Sequence, residues 1–357
     1  MKPQRIAWLD VAKAIGIYAI YLGHFGDAAG PAYKFVFQFH VPLFFFLAGC
    51  TEHFGKENDW RAEIVKNMQR VLIPAYIFAL LSLGLHIINA NADLSEVKGW
   101  LRLIAQGLIR NNYLAASLWF LTCLFVMKLL FMLIKRMRKW YLILAAGALL
   151  FLVAEYKITP RPAEVPHWFY NLDSAFYYMH YYISGFLVFP AVNKFLENKT
   201  LRSRIGKWIL GCITVGYAVL MYFQINLLTV IPAASKVLNS LLRLGKAYLI
   251  IGAIIIISYC FQNMQTLNEI GQNTLYLCGG EYIIKILVPS VIGLLGLSLN
   301  LDGPLYISLY TGILLWISMR TVVPVLKETV EIICKGNGGC NSVRRKQKRS
   351  IFQGNRI

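Results

Sequence analysis

The 357-residue sequence predicts an all-α, polytopic transmembrane helical bundle of about ten spans with both termini cytoplasmic. Three observations lead there. Apolar residues make up 57% of the chain and the mean hydropathy is +0.55, beyond an ordinary soluble domain. Successive apolar runs approach the roughly 20 residues that a helix needs to cross the hydrocarbon core. The basic residues collect in short segments between those runs and in the tail Val343-Arg-Arg-Lys-Gln-Lys-Arg-Ser350.

The spans are expected near 7–26, 35–53, 71–90, 114–134, 139–155, 174–193, 207–230, 245–262, 271–296 and 304–326. The first run follows Met-Lys-Pro-Gln-Arg and ends without an Ala-x-Ala-like cleavage site, so it reads as a retained span rather than a removed signal peptide. With the N-terminus inside, cytoplasmic segments carry 23 Lys and Arg against 9 outside, which favours both termini in the cytoplasm. Residues 1–330 read as one transmembrane domain and 331–357 as a disordered basic cytoplasmic tail. Of the external segments, 91–113 has an amphipathic, interfacial pattern, and 156–173 is rich in proline and aromatics in the manner of an interfacial belt.

The net charge of +19 is explained by positive-inside bias and attraction to anionic lipid. No nucleic-acid motif accompanies it, so the bilayer is the expected partner and nucleic acid is not. Five of the seven cysteines lie in or beside apolar runs, and no Cys/His spacing supports a metal site.

The most informative stretch is the first span, Leu9-Asp10-Val-Ala-Lys13-Ala-Ile-Gly-Ile-Tyr-Ala-Ile-Tyr-Leu-Gly-His24. At roughly 100° per residue, Lys13 and His24 fall about 20° apart around a helix, and Asp10, Ile17 and Tyr21 share their face. Ionisable groups inside an apolar span are costly, which points to a polar site turned toward other helices. The bland alternative is an interfacial Asp10–Lys13 pair with His24 snorkelling to the far surface. Gly16 and Gly23 on one flank favour close helix packing instead. By helical rise His24 lies roughly 16 Å beyond Lys13, so the two are expected to grip opposite ends of one elongated ligand.

Further along, Phe39-His40-Val-Pro42 places a second histidine at the depth of His24, with Pro42 expected to kink its helix. Glu52 and His53 read as interfacial. Lys66 and Arg70 precede Pro74 and Tyr76, and are expected either to anchor the span or to bind phosphates, for which arginine is well suited. Trp119 opens the fourth span, and the ninth holds Asn273 and Glu281. Glu281 needs a partner, and Lys285 is the nearest candidate by i,i+4 geometry.

These pieces, in this order, resemble the acyltransferase-3 family of integral membrane O-acyltransferases, and within it the fucose 4-O-acetylase-like branch. The matching residues are Leu9-Asp10-x-x-Lys13 with ten residues before His24, Phe39-His40-x-Pro42-Leu-Phe-Phe-Phe-Leu-x-Gly49, Arg70-x-x-x-Pro74-x-Tyr76, Leu118-Trp119-Phe-Leu and Ile270-Gly-x-Asn273-Thr-Leu. Two positions depart. Cys50 stands where a bulky apolar residue is usual, and Glu281 lies near where many members have a histidine.

The resemblance implies a multi-pass protein of the cytoplasmic (inner) membrane that moves an acyl group, most simply acetyl, from acyl-CoA onto a hydroxyl of a cell-surface or exported polysaccharide. It implies acetyl-CoA as co-substrate with no permanently bound cofactor, and polysaccharide biosynthesis machinery as a partner. Lys13, Arg70 and Lys66 then belong to donor binding, and His24 to general-base catalysis. Asp10, His40, Trp119, Asn273 and Glu281 support the site. Direct transfer is expected, because no Ser or Cys is paired with a base. The competing class is a secondary transporter or polysaccharide exporter, which also places charges along a membrane path. It calls for inverted repeats, and none is visible.

Overall fold

Helices account for nearly all secondary structure, and there is no strand among the described residues. The structure is a computed structural model that describes residues 5–54, 59–89, 118–158, 168–225, 236–294 and 303–336, with 99 and 101. The expectations for most of 91–113, for 159–167 within the 156–173 segment, and for the tail beyond 336 lie outside the described residues.

Ala7–Gly23 (α1) ends in a short turn of helix at Gly26–Ala29, bounded by Gly26 and Gly30 in left-handed conformations with φ of 62° and 56°. That double reversal sends Pro31–Val36 (α2) back along α1. His40–Thr51 (α3) follows after a break at 37–39. The break falls before Pro42, not at it. Pro42 sits in the first turn of α3, where a backbone N–H has no helical acceptor and its absence costs nothing.

Trp60–Asn67 (α4) passes through a wide π turn, Met68–Leu72, into Ile73–Asn89 (α5). Trp119–Lys135 (α6), Trp140–Val153 (α7), Leu172–Glu197 (α8), Leu201–Tyr222 (α9) and Lys236–Cys260 (α10) succeed one another. The expected ninth span is a broken rod: Gln265–Gln272 (α11), Thr274–Gly279 (α12) and Glu281–Leu294 (α13). Pro304–Arg320 (α14) and Val322–Gly336 (α15) close the described chain, so helix continues six residues into what reads in sequence as tail.

Some helix falls within each of the ten expected spans among the described residues, but helix alone does not make a span. Among the described residues, five helices are long and apolar enough to cross a membrane, or six if α14 and α15, bent by 46°, form one span. The reasons are physical. α1 and α6 have 17 residues each, and α8 is long but carries tyrosines, His180 and Asp173 along its length.

α1 sits deep in the bundle, with 13 of its 17 residues buried. The peripheral helices α7 and α9 instead expose large apolar side chains such as Leu149, Leu152, Trp208 and Ile213, as lipid-facing helices do. A tight crossing joins α3 to α8. A Cβ on Gly49 would stand 1.9 Å from the Tyr182 carbonyl oxygen, and one on Gly185 would stand 2.0 Å from that of Phe46. Each helix therefore presents a glycine to the other's backbone. Gly16 and Gly23 meet only side chains, those of Phe44, Val36 and Phe37 among them.

Gly49→Ala should accordingly lower the thermal midpoint of the purified protein, at a cost of about 1–3 kcal/mol for overpacking. Gly84→Ala, where the added methyl meets no atom within 4 Å, should leave the midpoint unchanged or raise it. Equal effects of the two in a melting assay would contradict the packing argument.

Candidate active site

The polar stripe of α1 is matched, residue by residue, by the broken rod α11–α13. At one end, a Cβ on Gly271 would lie 1.8 Å from the Asp10 carbonyl oxygen, so only glycine permits the approach. Midway, the Tyr21 hydroxyl donates to the Leu277 carbonyl at 2.8 Å. At the far end His24 meets Glu281. The ascending order, 10 with 271, 21 with 277 and 24 with 281, means that the two segments run parallel.

His24 caps the C-terminus of α1, with its backbone N–H on the Ile20 carbonyl. Its Nδ1 lies 2.5 Å from Glu281 Oε1, and Lys285 Nζ lies 2.9 Å from the same oxygen. Glu281 is buried, with 5% of its side chain exposed, whereas His24 retains 24%. A carboxylate already holding a lysine accepts hydrogen bonds, so Nδ1 is the nitrogen that carries the proton. In a neutral ring the lone pair is then on Nε2. Lys285 also donates to the Tyr21 carbonyl at 3.4 Å and lies over the Phe25 ring at 4.7 Å. The i,i+4 partnership of Glu281 with Lys285 is therefore present, and the histidine joins it from another helix.

At the other end of α1, buried Asp10 receives Lys13 Nζ at 3.3 Å and Arg5 Nε at 3.0 Å. Asp10 thus fixes the Lys13 ammonium, the pairing that the interfacial alternative contained. The Arg5 contribution went unread. Lys66 is held by Glu63 at 2.9 Å, one helical turn away.

Arg70 is exposed and forms no ion pair among the described residues. It lies in the π turn, where the Ile73 N–H bonds five residues back to the Met68 carbonyl. Pro74 explains the turn. It has no N–H for the Arg70 carbonyl, and its ring would clash with that group in a regular helix, so the backbone widens there.

His40 is buried and donates through Nδ1 to the Val36 carbonyl at 2.7 Å; its ring meets Phe37, which itself packs on Gly23 beside His24. Trp119 is buried against Tyr178 and Phe120, and Phe120 leads through Phe44 to Gly16 of α1. The Asn273 amide donates to the Glu269 carbonyl at 2.8 Å, securing the joint between α11 and α12 rather than reaching toward His24.

Sequence reading missed a second polar cluster. Glu52 accepts Lys128 at 2.6 Å and the Tyr182 hydroxyl at 2.5 Å, so it is ion-paired across helices. Beside it, His53 Nε2 donates to the Phe186 carbonyl at 2.6 Å. Pro190, four residues after Phe186, leaves that carbonyl without its helical donor, and this was the available signal.

Comparison with known proteins places this arrangement. The model of the acyltransferase-3 family, described as an acyltransferase domain, matches residues 6–322, nearly the whole chain. The chain belongs to the acyltransferase-3 family. Together with its apolar helices, that membership makes it a membrane acyltransferase. No curated protein and no solved structure matches it. The matched region contains both ends of the α1 stripe, the Arg70–Pro74 turn and the Glu281 pairing.

Pro74→Ala restores the missing donor and should let 68–74 close as regular helix, turning Arg70 by up to about 100°. The variant should melt no lower than wild type, and a lower midpoint in a melting assay would contradict the account of the π turn.

Proposed function

We propose that this acyltransferase is an O-acetyltransferase of the cytoplasmic membrane that carries an acetyl group from acetyl-CoA to a hydroxyl of an exported or cell-surface carbohydrate, with His24 as general base. The topology we infer has ten spans and cytoplasmic termini, a single domain over 1–330 and a basic tail facing the inner leaflet. The fucose 4-O-acetylase-like branch is our placement within the family.

The observation that carries the reading is the His24–Glu281 contact of 2.5 Å. Glu281 orients the imidazole and supports the tautomer with Nε2 unprotonated, the form a general base requires. In the proposed reaction Nε2 takes the proton from the acceptor hydroxyl as its oxygen attacks the thioester carbonyl carbon. The tetrahedral intermediate collapses with cleavage of the C–S bond, and the imidazolium returns the proton to the departing thiolate. No acyl-enzyme is needed. Lys13, fixed by Asp10, and Arg70, free of ion pairs among the described residues, are suited to the phosphates of the donor. Lys66, tied to Glu63, is assigned to the edge of the same region. Polysaccharide biosynthesis enzymes are the natural suppliers of the acceptor.

Membranes containing the protein, given radiolabelled acetyl-CoA and candidate glycans, should label the glycan. His24→Ala should lower labelling by about a hundredfold to ten-thousandfold while the protein remains folded. Glu281→Gln, which removes the charge but keeps an acceptor oxygen, should show a smaller loss. Normal labelling by His24→Ala would remove that residue from the mechanism. Lys13→Ala and Arg70→Ala should raise the Michaelis constant for the donor, and a change confined to the acceptor would contradict their roles.

A further inference from the structure

A cavity of about 870 Å³ opens between the end of α3, α4, the α6–α7 turn and α8, and none of the residues assigned above lines it. Its volume is in the range that encloses a ligand of nucleotide size. Two indoles, Trp60 and Trp140, stand on its wall with 50% and 64% of their surface exposed. Lys135, Arg136 and Arg138 line the same wall, the last in a left-handed conformation (φ 59°) in the tight turn between α6 and α7.

The charges of this wall do not cancel. Of its carboxylates, Glu52 is already held by Lys128 and Tyr182, and Glu63 by Lys66. That leaves Asp59 against Lys135, Arg136 and Arg138, none of which forms an ion pair among the described residues. An uncompensated positive wall beside exposed aromatic faces is matched by an anion that carries a flat ring. Guanidinium groups take phosphate oxygens bidentately, and indole faces take a base by stacking.

We propose that this cavity binds the nucleotide end of the acyl donor, with Arg136, Arg138 and Lys135 on its ribose phosphate and Trp60 and Trp140 on its base, while the diphosphate is left to Lys13 and Arg70. The proposal rests on the acyl-CoA reading given above. A lipid headgroup phosphate shares part of this chemistry, because tryptophan and basic residues also mark the bilayer surface. A headgroup has no base to stack on the indoles, so the test separates the two sources.

Full-length protein in nanodiscs of purely zwitterionic lipid is titrated with adenosine 3′,5′-bisphosphate while tryptophan fluorescence is recorded. Wild type should bind, and Arg136→Ala/Arg138→Ala should bind about tenfold more weakly or worse. The same variant should raise the Michaelis constant for acyl-CoA with kcat retained, while an acyl-pantetheine lacking the nucleotide is used equally by both proteins. Trp140→Leu, which leaves the cations in place, should weaken the bisphosphate without misfolding a site so exposed. Equal bisphosphate binding by wild type and both variants would overturn the proposal, as would its displacement by anionic lipid added to the discs. Transfer from acyl-CoA by wild type with an unchanged Michaelis constant in the arginine variant sinks the cavity assignment alone. Absence of any transfer from acyl-CoA sinks the donor reading, and the titration still reports whether the cavity is a nucleotide site.

Discussion

A buried carboxylate must be paired, and the pairing of Glu281 organises this protein. With 5% of its side chain exposed, the group cannot rely on water, and an isolated charge there would cost several kcal/mol. Lys285 supplies one partner from the same helix. His24 supplies the other from a helix 257 residues away in sequence, and this contact closes the two chain segments on one another. The remaining contacts of the pair, Gly271 on the Asp10 backbone and Tyr21 on Leu277, lie in register with it. A shift of either segment by one residue would turn the stripe about 100° away and strand the carboxylate. The same constraint that holds the bundle together therefore fixes the imidazole.

Proline-freed carbonyls provide a second theme. A proline inside a helix removes one hydrogen bond, and the acceptor four residues earlier must be dealt with. At Pro74 the backbone deals with it by widening into the π turn that carries Arg70. At Pro190 a side chain does so instead: His53 crosses from the end of α3 to the Phe186 carbonyl. Its ring then stacks on Phe186 at 4.5 Å, next to the Glu52–Lys128–Tyr182 cluster. Each irregularity places a polar or charged group where a uniform helix would have none.

What was legible in the sequence follows the range of the interactions. Helical spans and the shared face of Asp10, Lys13, Tyr21 and His24 depend on a local period, and the i,i+4 pairing of Glu281 with Lys285 is equally local. All are present. The span boundaries were less legible: α3 begins after the 37–39 break, because the glycine-bounded reversal at Gly26–Gly30 returns the chain before Pro42 is reached. Glu52 looked like an interfacial charge because Lys128 and Tyr182 lie 76 and 130 residues away. The choice of Gly49, Gly185 and Gly271 over Gly16 and Gly23 for close backbone approach depends on which helices cross, and a periodicity cannot say that.

Lys285 has a consequence beyond satisfying a carboxylate. Its ammonium lies 2.9 Å from the same Glu281 oxygen that meets His24 Nδ1, so one carboxylate oxygen is held from two helices. The pairing therefore orients the ring. Tyr21 and Phe25 confine the ammonium, through a carbonyl and a ring face, so that it stays on Glu281 rather than approaching the histidine. The arrangement arises from residues that the parallel packing of α1 on α11–α13 brings together.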